Sequence, residues 1–161
     1  MTTDTLSVAR KPLTPKQAVL FGTLTVGVLD ILDAFIFFGL RGVPPIRILQ
    51  SIASGLLGRA SYEGGAPTAV LGLFLHFFIA FVVVLTYYLA SRRLPVLTRH
   101  PVVCGVVYGL LVYAVMNLVV LPLSAAAVGA WPPPLPGLLN GLLIHALGVG
   151  LPSALFARAA A

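Results

Sequence analysis

Five residues with chemical capacity stand inside otherwise apolar stretches of this chain: Asp30, Asp33, His76, Asn117 and His145. Carboxylates and imidazoles hold protons and cations. Inside a hydrocarbon layer they are expensive. A lone aspartate at mid-membrane costs about 2.5–3.5 kcal/mol on insertion scales. Such residues persist where they pair or where they work. The simplest pairing has His76 or His145 donating to Asp30 or Asp33, with Asn117 as a neighbour. That cluster would carry protons or hold a small ligand.

The elements that must position these groups are apolar runs. Hydrophobic residues make up 59% of the 161 residues and charged residues 9%, against roughly 25% charged in a soluble domain. Four runs are long enough for a bilayer core, which needs ~20 helical residues. They lie at about 18–40, 68–90, 102–123 and 138–156. The expected fold is an all-α membrane protein, a four-helix transmembrane bundle, preceded by a polar N-terminal segment over 1–17. The first run is too long for a signal-peptide core and carries both aspartates, so it reads as a retained helix.

Small and polar residues recur at helical spacing on each run, as expected where helices pack in lipid. They are Thr23, Gly27, Asp30 and Asp33, then Ala69, Gly72, His76, Ala80 and Tyr87. Gly105, Gly109, Tyr113 and Asn117 follow, then Gly141, His145, Gly148 and Pro152. Gly27, Gly72, Gly105, Gly109, Gly141 and Gly148 are the expected close-packing positions. Counted from the expected outer helix ends at ~1.5 Å per residue, Asp33, His76, Asn117 and His145 lie ~9–12 Å deep and Asp30 ~15 Å. The spacing predicts one polar layer in the outer half of the membrane.

The connections add detail. After Pro44 and Pro45, apolar positions at Ile46, Leu49, Ile52, Leu56 and Leu57 predict a short amphipathic helix over about 45–58. It is too short to span and is expected in the interface, a re-entrant segment being the alternative. Trp131 beside a proline run is an expected interface anchor, and Tyr87 and Tyr88 read as belt residues near the cytoplasmic boundary. Seven basic residues (Arg10, Lys11, Lys16, Arg92, Arg93, Arg99 and Arg158) would share a side with both termini, against Arg41, Arg47 and Arg59 opposite. That imbalance places both ends in the cytoplasm. The net charge of +6 therefore reads as headgroup anchoring, and nucleic acid is not an expected partner. Arg41, Arg47 and Arg59 would touch headgroups or guide an anion. Cys104 is the single cysteine, which excludes an intrachain disulfide and a CxxC motif.

Other chemistries fit the same residues. His76 and His145 could ligate haem b, and with Asp33 they have the donor types for zinc. Ser124 and Ser153 lack any base-and-acid arrangement, and HExxH and GxSxG are absent, so an enzyme is the weaker reading. An accessory subunit of a larger membrane complex, or a homo-oligomer, needs no chemistry at all. The expected partner in every case is the lipid bilayer, and no cofactor is required.

The segments GLRGVPP, LHFFIAF, YGLLVYAVMNLVVLPLSA and GLLNGLLIHALG resemble those of four-helix bacterial inner-membrane proteins of the YagU-like type. The resemblance covers most of the apolar part. It implies a place in a bacterial inner membrane, and it brings no activity with it.

Overall fold

The computed structural model describes residues 12–161 apart from 128 and 130. Most of the expected polar N-terminal segment, residues 1–11 with Arg10 and Lys11, lies outside the described residues. The described residues are helical, with no strand among them. Four helices are long and apolar enough to cross a bilayer: α1 (Pro15–Gly39), α3 (Gly65–Arg93), α5 (Pro101–Leu123) and α6 (Leu135–Ala159). A shorter α2 (Pro45–Leu57) follows α1, and a single turn, α4 (Val96–Arg99), joins α3 to α5. Leu20, Ile36, Phe74, Val103 and Leu143 are exposed on the outside, as a lipid-facing surface requires. The length and apolarity of these four helices are compatible with a membrane protein.

The helices start earlier or end later than their apolar runs. Polar caps extend them. Thr14 and Gln17 form a capping box, with Thr14 Oγ1 accepting from the Gln17 amide at 3.3 Å and Gln17 Oε1 from the Thr14 amide at 3.0 Å. Pro15 then takes the first helical position, where a missing N–H costs nothing. At its other end α3 runs on through Ser91, Arg92 and Arg93.

α1 packs on α3 and α6, and α6 packs on α5. The α5–α6 contact is backbone to backbone. A Cβ on Gly109 would overlap the His145 carbonyl, and one on Gly150 would overlap the Gly105 carbonyl. By contrast α3 and α5 run apart. They meet chiefly at Tyr108, whose hydroxyl donates to the Val83 carbonyl at 2.7 Å and whose ring meets Tyr87 at 4.9 Å.

Leu13 and Ala159 sit at one end, where the Leu13 amide donates to the Ala159 carbonyl at 2.8 Å. The core at that end is Tyr87, Tyr88, Ala154 and Ala157. This corrects the reading of Tyr87 and Tyr88 as belt residues. They are 1% and 8% exposed, and Tyr87 donates to the Leu97 carbonyl at 3.0 Å. The turn at α4 folds back over them and supplies the acceptor that headgroup water would otherwise provide. Tyr87→Phe is expected to cost about 1 kcal/mol, the net worth of one hydrogen bond, read from unfolding in mild detergent.

At the opposite end α2 leans against α3. A Cβ at Gly72 would overlap the Leu49 carbonyl, so that glycine admits α2 at backbone distance. Gln50, buried, donates to the Gly65 carbonyl at 3.0 Å. The far end of α2 reaches α5, where the Ala125 amide donates to the Gly55 carbonyl at 2.9 Å. Gly58 ends the helix at φ 60°, a backbone state that a side chain would strain. α2 thus crosses from α3 to the end of α5, over the space between them.

Two of the long helices contain π-turns, at Met116–Val120 in α5 and His145–Gly150 in α6. Each closes with an i to i−5 bond from a leucine, Leu121 to the Met116 carbonyl and Leu151 to the Ala146 carbonyl. A proline follows each leucine, Pro122 and Pro152. Proline has no N–H for the ordinary ladder and its ring crowds the carbonyl four residues back. Widening the preceding turn relieves that crowding, and it re-aims the side chains there.

Candidate functional site

The widened turns face a chamber. Asp30 of α1, His76 of α3, Asn117 of α5 and His145 of α6 line a cavity of ≈ 350 Å³. Ile48, Ser51 and Ile52 of α2 close it from above. Asp30, Asn117 and His145 also line a second cavity of ≈ 470 Å³, with Asp33, Asn140 and Arg41 nearer the surface. The two cavities share walls, so the chamber continues into a vestibule.

Counted along each helix, the residues of the expected layer fall on two shelves. From the observed helix ends, at ~1.5 Å per residue, Asp33, Asn117 and Asn140 lie ~8–9 Å deep, and Asp30, His145 and His76 ~14–17 Å deep. The difference arises because α3 and α6 each begin three residues ahead of their apolar runs.

The expected pairing of imidazole to carboxylate is present at ion-pair range, His76 with Asp30, and not as a hydrogen bond. His76 Nε2 lies 2.8 Å from the Gly27 carbonyl oxygen. A carbonyl only accepts, so Nε2 carries the proton and donates. The other nitrogen, Nδ1, faces Asp30 Oδ2 at 3.9 Å, too far for a hydrogen bond. His145 Nδ1 donates in the same way to the Gly141 carbonyl, one turn back, at 3.0 Å. Asp33 does have a donor, and it is Asn140, whose Nδ2 is 2.7 Å from Oδ2. Residue type alone does not single out Asn140, because it stands close to a helix end, where a polar residue needs no explanation. Its spacing of five from His145 is the signal the sequence carries.

The Ser51 hydroxyl and one Asn117 amide hydrogen are spent likewise. Asn117 Nδ2 donates to the Tyr113 carbonyl at 2.9 Å, and the Ser51 hydroxyl to the Ile48 carbonyl at 2.7 Å. The chamber is left with two imidazole lone pairs, an amide oxygen, a hydroxyl oxygen and the Asp30 carboxylate as acceptors, and with the second Asn117 amide hydrogen as a donor. Among the described residues no hydrogen bond reaches that carboxylate. Arg41 is exposed at the vestibule mouth. Its Nη1 donates to the Phe37 carbonyl at 2.6 Å, and its guanidinium lies 3.6 Å over the Phe37 ring.

The glycines hold this arrangement at close range. Gly27 leaves room for the Phe77 ring, and Gly141 for the Tyr113 ring. Tyr113 in turn meets His145 at 5.1 Å and Trp131 at 5.9 Å, which ties the proline loop to the chamber wall. Gly148 meets Ile144 and Leu29. Gly22 against Val84, and Gly150 against α5, are packing glycines outside the expected set.

Among the described residues no three His, Cys, Asp or Glu side chains stand close enough to chelate a metal ion. For haem, the unbonded nitrogen of His76 is Nδ1, the one beside its own backbone, which leaves a macrocycle little room. Asn140→Leu is expected to cost about 1–3 kcal/mol by stripping Asp33 of its donor. Adding Asp33→Asn to that variant should recover most of the loss, a coupling that a double-mutant cycle reads directly.

No protein-family profile, curated protein or solved structure matches the chain, so the geometry of the chamber carries the functional argument.

Proposed function

We propose that this chain spans a bacterial inner membrane four times with both termini cytoplasmic, and that its outer-half chamber binds protons or a small cationic ligand. The observation that carries this reading is the Asp30 carboxylate, which accepts no hydrogen bond among the described residues and faces His76 Nδ1 at 3.9 Å. His76, His145 and Ser51 each give a hydrogen to a backbone carbonyl, and Asn117 gives one of its two amide hydrogens. A species that brings its own hydrogens satisfies the carboxylate and the unbonded imidazole nitrogens together. A proton between His76 Nδ1 and Asp30 makes that contact attractive. An ammonium group, with three or four donors and a positive charge, does the same for several acceptors together. An anion meets the Asp30 charge, with one free amide hydrogen of Asn117 to set against it. The orientation is supported by Lys16, Arg92, Arg93, Arg99 and Arg158, which share the terminal end, against Arg41, Arg47 and Arg59 at the other. α2 then lies at the outer interface as a cover on the chamber.

The test uses the full chain in lipid nanodiscs with isotope-labelled histidine. Ethylammonium chloride is expected to shift the His76 and His145 ring signals saturably, and sodium acetate to leave them in place. Equal response to both salts, or none to ethylammonium, defeats the proposal.

A further inference from the structure

We infer that the ligand is an amphiphile, a long-chain primary amine, which reaches the chamber sideways from the bilayer between α3 and α5. This rests on the chamber binding a cation and names the class of that cation. The gap between α3 and α5 holds an apolar groove of ≈ 390 Å³ on the lipid-facing side. Ile79, Val83, Val112 and Met116 line both the groove and the polar chamber. The two spaces therefore meet at a common wall. The groove follows α3 from Phe78 to Thr86, ~12 Å of helix, with Val82 and Val115 exposed along it.

Charge decides between the two entrances. At the vestibule mouth stands Arg41, a fixed positive charge that disfavours an incoming cation. Among the described residues no charged side chain lines the groove. The head is fixed by what awaits it. His76 is 8% exposed, with Nδ1 unpartnered and turned toward Asp30. An ammonium placed there donates to both while the chain leaves through the groove. The groove itself adds little affinity, since lipid tails are as apolar as its walls. Its contribution is a route, and a reservoir of ligand already concentrated in the bilayer. A soluble amine has neither.

The probe is dodecylammonium carrying a photoreactive diazirine midway along its chain, added to the full-length protein in nanodiscs. Labelling is expected on the α3 segment 78–86 and the α5 segment 111–120. It should fall at least tenfold in Asp30→Asn, which removes the charge that holds the head. It should fall similarly in Val115→Trp, or in Val82→Trp should the first variant fold poorly, since either fills the groove. Label spread evenly over the lipid-facing helices, or unaffected by Asp30→Asn, overturns the inference. Ethylammonium shifts in the unmodified protein separate the two claims. If they occur while dodecylammonium labels at random, the cation site stands and the lateral amphiphile falls. If they fail, the cation site falls, and the amphiphile with it.

Discussion

Asp30→Asn is expected to make the unliganded protein more stable, by about 1–3 kcal/mol, while weakening ethylammonium binding at least ~100-fold. Both signs follow from the same geometry. The Asp30 carboxylate, with its side chain 30% exposed, faces His76 Nδ1 at 3.9 Å with no donor between them, and a charge inside an apolar layer costs about 2.5–3.5 kcal/mol on insertion scales. Asparagine keeps the shape and supplies an N–H, which can turn to that nitrogen. The same change removes the carboxylate that faces His76, the charge nearest to a cation on the inner shelf. A factor of 100 in binding corresponds to about 2.8 kcal/mol, within reach of one charge-assisted hydrogen bond. A polar layer whose only duty is to hold helices together behaves in the opposite way. There, removing a member destabilises the bundle and leaves cations unaffected. Thermal unfolding in detergent, run with and without ethylammonium chloride, reads both effects from one sample. Lower stability of the variant, with the ethylammonium effect retained, would assign Asp30 to the scaffold.

Part of the chamber is legible in residue types alone. Polar residues in apolar helices are too costly to be incidental, so Asp30, His76, Asn117 and His145 identify themselves, and all four line one cavity. Their partners are not legible. Three of those four donate to backbone carbonyls, and every residue has a carbonyl. Nothing in residue type marks Gly27 as the one that His76 meets. The absence of a Cβ on Gly27, which brings α3 close, is the nearest sequence trace. The π-turns are hidden for a related reason. Leu-Pro occurs late in both α5 and α6, and it reads as a kink or a helix end. The widened turn that precedes it shows only in the hydrogen-bond ladder. Periodicity also gives each helix an inner face without naming its neighbour. The separation of α3 from α5, on which the lateral route depends, is therefore a property of the assembled bundle. Tyr87 and Tyr88 show the reverse failure, where nearness to a membrane boundary outweighs their own helical spacing with Ala80 and Val84.

The glycines give the largest structural effect. Gly109→Val is expected to destabilise the protein by about 3 kcal/mol or more and to abolish the ethylammonium response together with it. A Cβ at Gly109 overlaps the His145 carbonyl, its carbon and the Ala146 Cα. These are backbone atoms, so no side-chain rotation relieves the clash, and α5 must move away from α6. Overpacking a rigid site costs typically 1–3 kcal/mol and more where nothing can yield. The β-branched side chain also carries a small helix penalty of its own. His145 opens the π-turn that faces α5, so displacing the helix pair moves the imidazole out of the chamber. Gly39→Ala provides the contrast. Nothing stands within 4 Å of a Cβ there, and replacing a helical glycine with alanine removes an entropic cost of about 0.5–1 kcal/mol. That variant is expected to be neutral or slightly stabilised. If the two substitutions lower the unfolding midpoint equally, the backbone contact between α5 and α6 is not what holds His145 in place, and the position of the chamber has to be sought in α1 and α3 instead.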